Sequence, residues 1–138
     1  MNSYLDHVQI NIAKSNLSFY RELMTFLGWK VLVDVFESEG VIGFGTEKNG
    51  SIWLVAGKRE DQMNRDSIGY NHIGIKVEIQ KNVDEATDFL KKKNTELLFG
   101  TPRHRPEFAE SESNTYYQVM FESPDKILFE IVYTGTKM

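Results

Sequence analysis

Residues 4–12 read YLDHVQINI, and residues 69–77 read GYNHIGIKV. In each stretch a histidine follows an Asp or an Asn, and β-branched residues then occupy every second position. This period of two is typical of a β-strand with one buried face. Because successive side chains point to opposite faces, His7 and His72 fall opposite the apolar residues of their strands. The two stretches predict equivalent strands in a duplicated chain.

The segments that follow these two strands support the duplication. Apolar residues at helical spacing predict one helix between 15 and 28 and another between 82 and 94. Turn residues stand at 48–50 (Lys-Asn-Gly) and at 123–126 (Ser-Pro-Asp-Lys). The strands predicted after the helices are 29–36, 41–46, 51–56, 96–100, 116–122 and 126–133. Each half therefore reads βαβββ, and the fold class is predicted to be α+β.

Length and composition set the limits of this interpretation. The 138 residues predict a single domain, 1–138, built from module one (about 1–57), a polar linker (58–68) and module two (about 69–138). The net charge of −4 and the lack of a basic stripe argue against nucleic acid as a partner. The chain has no cysteine and no apolar stretch near the ~18 residues of a membrane span. We expect a cytoplasmic protein without membrane partners.

The last predicted strand carries a carboxylate in apolar surroundings. Residues 126–133 read KILFEIVY, so Glu130 lies between Leu128 and Val132 on one face of the strand. An ionised carboxylate in such a place is costly unless it is paired or bound to a metal. The corresponding place in the first half is taken by Leu54.

The duplicated pattern thus supplies two histidines and one carboxylate, at His7, His72 and Glu130. Taken singly, each has an ordinary reading, as a satisfied polar side chain or as an edge residue that faces water. Taken together, two imidazoles and a carboxylate leave coordination positions open, which is typical of a catalytic metal site. The sequence therefore predicts a metal site formed by these three residues.

The connection from 101 to 115, TPRHRPEFAESESNT, interrupts the second module with two prolines and no periodicity. Long connections of this kind are uncommon in compact domains and are often functional, although a plain surface excursion is the alternative. Arg103 and Arg105 are suited to bind an anionic group. We expect the loop to overhang a pocket and to read a negative group of the substrate.

These residues stand in motifs that resemble the vicinal oxygen chelate superfamily, which includes glyoxalase I, fosfomycin-resistance thiol transferases, extradiol dioxygenases and bleomycin-binding proteins. The resemblance covers nearly the whole chain. It rests on DHV at 6–8, on SFYREL and FLGW within 18–29, on NHI at 71–73 and on FESPDKILFE at 121–130. The last motif is similar to the family ending F-x-D-P-D-G-x-x-x-E, with Ser123 in place of the first Asp and Lys126 in place of Gly.

The resemblance implies two tandem βαβββ modules that form a cupped mixed sheet around a central pocket. It implies that His7, His72 and Glu130 hold one divalent ion (Zn, Ni, Mn or Fe), which chelates vicinal oxygens of a small-molecule substrate. A homodimer is also implied, and in some members both chains supply ligands to one site. Apolar residues that two small modules would leave uncovered, such as Phe36, Phe44 and Trp53, support dimerisation.

The activity implied is that of a glyoxalase-I-like metalloenzyme, of the lyase/isomerase or thiol-transferase type. Leu54 departs from glyoxalase I, which carries a Glu at that place. The predicted substrate-binding residues are Gln9, Arg103, Arg105, Tyr116 and Tyr117, with one of the two neighbouring phenols facing the pocket and the other facing away. The alternatives are a metal-free protein that binds a small molecule or an antibiotic, and an extradiol-dioxygenase-like oxygenase.

Overall fold

The computed structural model describes residues 1–48 and 50–138. The chain divides into two compact units, Met1–Asp61 and Gln62–Met138, and each contains its own four-stranded mixed sheet. The α+β class and the two βαβββ modules predicted from the sequence are confirmed. Asn49, at the centre of the first predicted turn, lies outside the described residues.

The first unit has the sheet order β1-β4-β3-β2, with β1 parallel to β4 and the other neighbours antiparallel. Its elements are β1 (His7–Ile12), a 3₁₀ turn (Lys14–Asn16), α1 (Leu17–Phe26), β2 (Lys30–Val35), α2 (Phe36–Glu39), β3 (Val41–Gly45) and β4 (Ser51–Ala56). The alternation read from the sequence holds in β1, where Ile10 and Ile12 are buried while His7 and Gln9 are exposed. The apolar face of this strand therefore belongs to the core.

The second unit repeats this arrangement with the sheet order β5-β8-β7-β6, and β5 is parallel to β8. Its elements are β5 (His72–Lys76), α3 (Gln80–Lys92), β6 (Arg103–His104), a 3₁₀ turn (Pro106–Phe108), β7 (Asn114–Glu122) and β8 (Leu128–Thr136). The helix begins two residues before the predicted cap. Asn82 instead reaches back from the first turn, and its Oδ1 accepts a 3.4 Å hydrogen bond from the backbone N–H of Ile79.

The strand predicted at 96–100 is wrong. Phe99 and Gly100 have φ angles of 57° and 65°, a left-handed backbone that no extended strand contains. Leu97 forms an isolated bridge with Phe121, and the fourth strand of the sheet is Arg103–His104. The segment 101–115 therefore contributes an edge of the sheet and a 3₁₀ turn, and is not a free loop.

The exposed apolar residues of the first unit differ from those expected. Phe36 and Phe44 are only 3% and 0% exposed, so both are buried, whereas Trp53 is half-buried. Exposure falls instead on the edge strand β2, where Val31, Leu32 and Val33 are 47%, 55% and 40% exposed. The pairing of β2 with β3 shifts register between Val31 and Val33. The edge strand β2 therefore carries part of the uncovered apolar surface of this unit, together with Tyr4, Leu5 and Phe26.

The helices are short. The longest that the structure describes in residues 1–48 and 50–138, α3, has 13 residues, and none there has the length and apolar character needed to cross a membrane.

Candidate metal site

One face of the second sheet gathers the polar residues of three strands. Gly74 of β5 pairs with Glu130 of β8, which pairs in turn with Met120 of β7, so all three share a face. His72 lies two residues before Gly74 and therefore points to the same side. The strand alternation read from the sequence thus brings His72 and Glu130 together.

Glu130 is a buried carboxylate, 4% exposed, whose two oxygens have different surroundings. Its Oε1 accepts a 2.8 Å hydrogen bond from the Tyr116 hydroxyl. With its amide nitrogen turned toward Glu130, Gln118 also donates to Oε1, and its amide oxygen accepts from Arg105 Nη1 at 3.2 Å. The other oxygen, Oε2, lies 3.2 Å from His72 Nε2. Oε1 is therefore held by protein donors, whereas Oε2 faces the histidine.

The contact with Asn71 determines which nitrogen of the His72 ring carries the hydrogen when the ring is neutral. The Asn71 amide nitrogen donates to the carbonyl of Arg65 at 3.0 Å, which turns Oδ1 of Asn71 toward His72 Nδ1, 2.9 Å away. Because an amide oxygen only accepts, Nδ1 carries the hydrogen and the neutral ring has its lone pair on Nε2. That lone pair faces the Oε2 of Glu130. Either a shared proton or a divalent cation joins two such acceptors, and an imidazole nitrogen with a carboxylate oxygen is a donor set that divalent metals accept.

His7 has a similar local arrangement in the first unit. Its Nδ1 lies 2.6 Å from Oδ2 of Asp6, which leaves Nε2 as the ring atom available to a metal. Gln9 is exposed on the same face of β1, and its amide donates to Asn11 Oδ1 at 3.1 Å. His7 and Gln9 are thus placed as the sequence predicts for their own strand.

The structure brings together two of the three predicted ligands, His72 and Glu130. Within residues 1–48 and 50–138 no group of three or more His, Cys, Asp or Glu side chains is gathered in a way that would hold a metal ion. His7 as a third ligand therefore stays a prediction.

The two neighbouring tyrosines of β7 lie on opposite faces of the sheet. Tyr116 faces Glu130, and burial, followed by the hydrogen bond to Glu130, raises its pKa to about 12. Tyr117 faces α3, where its hydroxyl donates to Asp84 at 2.7 Å, and burial followed by this bond raises its pKa to about 12 as well. Strand alternation therefore separates Tyr117 from the site, and Tyr116 is the phenol that faces it.

The two predicted arginines lie at the edge of the same face. Arg103 pairs with Gln118 in the sheet, and the backbone N–H of Arg105 donates to the Tyr116 carbonyl at 2.7 Å. The Arg105 Nε donates to Glu107 at 2.6 Å, and its guanidinium lies 4.7 Å from the centre of the Phe108 ring. These contacts hold the Arg105 side chain beside Gln118, which hydrogen-bonds to Glu130.

Three residues that support this site were not predicted from the sequence: Gln118, Asn71 and Arg65. Gln118 had a usable signal, because it is a polar residue in an apolar strand and shares its parity with Tyr116. The amide of Asn71 directly before His72 was visible, but its role depends on the Arg65 carbonyl. Arg65 had no signal, since its partners are far along the chain.

Comparisons with solved structures agree with this architecture. A protein from Bacillus halodurans, provisionally assigned as a glyoxalase, is 24% identical with a TM-score of 0.74, and the match covers 94% of each chain. The fosfomycin resistance protein FosX from Listeria monocytogenes, in a complex with Mn(II) and sulfate, is 21% identical with a TM-score of 0.67, over 98% of this chain and 93% of that one. A glyoxylase/bleomycin resistance/dioxygenase domain from Frankia sp. EAN1pec is 18% identical with a TM-score of 0.66, over 98% and 100%.

No protein-family model and no curated protein sequence matches the chain. The structural matches show that the chain has the vicinal oxygen chelate fold, and the resemblance drawn from its motifs is confirmed at the level of the fold.

Proposed function

We propose that this protein is a divalent-metal-dependent enzyme of the glyoxalase-like type, which acts on a small oxygenated substrate by bidentate chelation. One observation carries the proposal: Nε2 of His72 lies 3.2 Å from the buried Oε2 of Glu130, while the other ring nitrogen is engaged by Asn71. The Mn(II) in the FosX structure supports a divalent ion in this fold. The proposed reaction is of the lyase/isomerase or thiol-transferase type.

When bound, the ion supplies Lewis-acid polarisation of substrate oxygens. The residues of the chain supply orientation and a buried setting. Tyr116 and Gln118 fix the carboxylate of Glu130 through Oε1, and this directs Oε2 toward His72. Because its pKa is raised to about 12, the Tyr116 phenol remains a hydrogen-bond donor even at the alkaline pH where an ordinary phenol ionises.

The proposal includes His7 as the third ligand. Its imidazole is oriented by Asp6 in the same manner as His72 is oriented by Asn71. We also propose a homodimer in which one site takes ligands from both chains. The exposed apolar edge of β2 supports association, because apolar surface of this kind favours a partner.

Substrate recognition is proposed for residues on the same strand faces as the ligands. Gln9 is exposed on the face of β1 that carries His7. Arg103 and Arg105 lie on the edge of the sheet beside Gln118 and offer guanidinium groups to an anionic part of the substrate. Tyr116 faces the carboxylate directly.

The alternative is a metal-free protein that binds a small molecule. It is favoured by the direct contact of His72 Nε2 with Glu130 Oε2 at 3.2 Å, since the two side chains can satisfy each other as an ion pair. In that case a proton takes the place of the cation between His72 and Glu130, and the face serves only for binding.

Metal content decides between the two functions. The tag-free protein should bind one Mn²⁺ per chain in a titration followed by elemental analysis, and Glu130→Gln and His72→Ala should lower the affinity sharply while the circular dichroism spectrum is unchanged. His104→Ala is the matched control, because this histidine contacts Thr115 and Tyr117 on the other face. Wild-type protein that takes up no metal, or variants that bind as well as wild type, would contradict the enzyme proposal.

A further inference from the structure

The segment before β5 is tied to the last residue of β7 by one ion pair. Arg65 Nη1 contacts Glu122 Oε1 at the last residue of β7, and the Arg65 guanidinium lies 5.9 Å from the centre of the Phe99 ring. The two charged side chains are only 25% and 21% exposed. Lys126 Nζ lies 3.6 Å from the other oxygen of Glu122. This pair, which we call the Arg65–Glu122 clamp, fixes where the backbone of Arg65 lies.

The backbone of this segment is closed into a turn. The N–H of Asp66 donates to Asn64 Oδ1 at 3.0 Å, and the N–H of Ser67 donates to the Asn64 carbonyl at 3.1 Å. The carbonyl of Arg65 is then left to accept from the Asn71 amide at 3.0 Å. A surface segment with this many fixed partners holds its carbonyl in a defined direction.

Glu122 of the clamp lies in register with His72 across the sheet. His72 pairs with Leu128, and Leu128 pairs with Glu122, so Glu122 lies two strands away from His72 on the same face. The path from one to the other runs through the side chain and carbonyl of Arg65 and through the amide of Asn71. A substitution of Glu122 at the end of β7 would therefore alter the contacts that orient the His72 ring on β5.

We propose that the Arg65–Glu122 clamp and Asn71 are positioning residues that set the tautomer and orientation of His72 and so prepare its Nε2 to bind the cation. This inference rests on the proposed metal-dependent function. In the first unit, Asp6 takes the corresponding place beside His7 at 2.6 Å, and there a carboxylate does directly what a clamped amide does in the second. Neither Arg65 nor Glu122 touches the cation in this scheme.

The mechanism is a choice between two ring tautomers. An imidazole in water favours hydrogen on Nε2, which would direct a donor toward the metal position. The Asn71 oxygen favours hydrogen on Nδ1 instead, but only while the amide is held with its oxygen toward His72. If the Arg65 carbonyl moves, the Asn71 amide loses the bond that fixes its direction.

The test reads the tautomer by nitrogen-15 NMR of labelled histidine in metal-free Glu130→Ala protein at mildly alkaline pH, because the Glu130 carboxylate, 3.2 Å from Nε2, would otherwise draw a hydrogen to that atom. This background should show His72 with hydrogen on Nδ1. Added to it, Arg65→Met, Glu122→Gln and Asn71→Ala should each shift the population toward hydrogen on Nε2, whereas Asn71→Asp, which retains an acceptor oxygen, should keep hydrogen on Nδ1. Arg59→Met is the matched control, because Arg59 is 83% exposed and pairs with Asp61 within the linker.

A second measurement links the tautomer to the cation. Loss of a group that orients a metal-binding histidine typically costs about 10–100-fold in metal affinity. Mn²⁺ titration should show a loss of this size in Arg65→Met and Asn71→Ala, and none in Arg59→Met. In the Glu130→Ala background, His72 with hydrogen on Nε2, or a tautomer that Arg65→Met leaves unchanged, would overturn the inference. The expected tautomer in that background together with a wild type that binds no Mn²⁺ would instead refute the proposed function.

Discussion

The Tyr116 hydroxyl donates a 2.8 Å hydrogen bond to Oε1 of Glu130. Together with Gln118, it satisfies one oxygen of a carboxylate that is 4% exposed, and it leaves the other oxygen directed toward His72. Tyr117, the next residue, takes the same bond type to Asp84 on the opposite face of the sheet. Removing each hydroxyl in turn therefore separates an effect on protein stability from an effect on metal binding.

Tyr116→Phe should destabilise the protein and weaken metal binding, because a buried carboxylate loses one of its donors. We expect a fall of about 1–3 kcal/mol in the free energy of unfolding and a loss of about 10–100-fold in Mn²⁺ affinity. Tyr117→Phe should cost about 0.5–1.5 kcal/mol and leave Mn²⁺ affinity unchanged. Urea denaturation and Mn²⁺ titration of both variants measure the two effects. Equal metal affinity in the two variants would contradict the role given to Tyr116.

Gly74 leaves space beside the metal-facing oxygen of Glu130. A Cβ at this position would lie 3.5 Å from Oε2, which is ordinary van der Waals contact, so Gly74→Ala should fold normally and bind Mn²⁺ slightly less well. Gly74→Val adds methyl groups next to that oxygen and should weaken Mn²⁺ binding far more than Gly74→Ala. Circular dichroism checks the fold, and Mn²⁺ titration checks the site. A valine variant that binds as well as wild type would place the cation elsewhere.

The pKa of Tyr117 predicts a loss of stability at high pH. An ordinary phenol has a pKa of 10, and burial together with Asp84 raises this pKa to about 12 in the folded protein. Since the folded state favours the neutral phenol, its contribution to stability is complete below pH 10 and is lost as the pH rises toward 12. The free energy of unfolding should fall less steeply across this window in Tyr117→Phe than in wild type. Identical slopes for the two proteins would refute the assignment.

A shared site predicts that metal binding depends on association. Sedimentation equilibrium should show a dimer, and dilution below its dissociation constant should lower Mn²⁺ affinity. Mixing His7→Ala with Glu130→Gln should then restore one functional site per mixed dimer, because each variant retains what the other lacks. A stable monomer with full metal occupancy would exclude this arrangement.

The arginines at the sheet edge predict recognition of an anion. In protein loaded with Mn²⁺, Arg103→Ala and Arg105→Ala should each weaken the binding of inorganic phosphate by about ten- to a hundredfold, since a charge-assisted hydrogen bond contributes about 1.5–3 kcal/mol. Calorimetric titration with phosphate provides the measurement, and Arg59→Ala serves as an exposed control. Unchanged phosphate affinity in both variants would leave this edge without a role in substrate binding.

Strand periodicity was enough to predict both modules and the shared face of His72 and Glu130, because alternation is a local property of an extended chain. It was also enough to place one tyrosine of 116–117 on each face. The short strand at Arg103–His104 was missed because left-handed residues at 99 and 100 are not apparent in a pattern of hydrophobicity. The contact between Arg65 and Glu122 joins residues 57 positions apart, and no local rule contains it.

The shift of register in β2 has a consequence for how the protein behaves in concentrated solution. Val31, Leu32 and Val33 stand at the end of the sheet order, where a straight apolar strand would offer a template for fibril-like stacking of many chains. The irregularity between Val31 and Val33 breaks the even spacing that such stacking requires. The irregularity therefore disfavours edge-to-edge stacking of many chains at this strand.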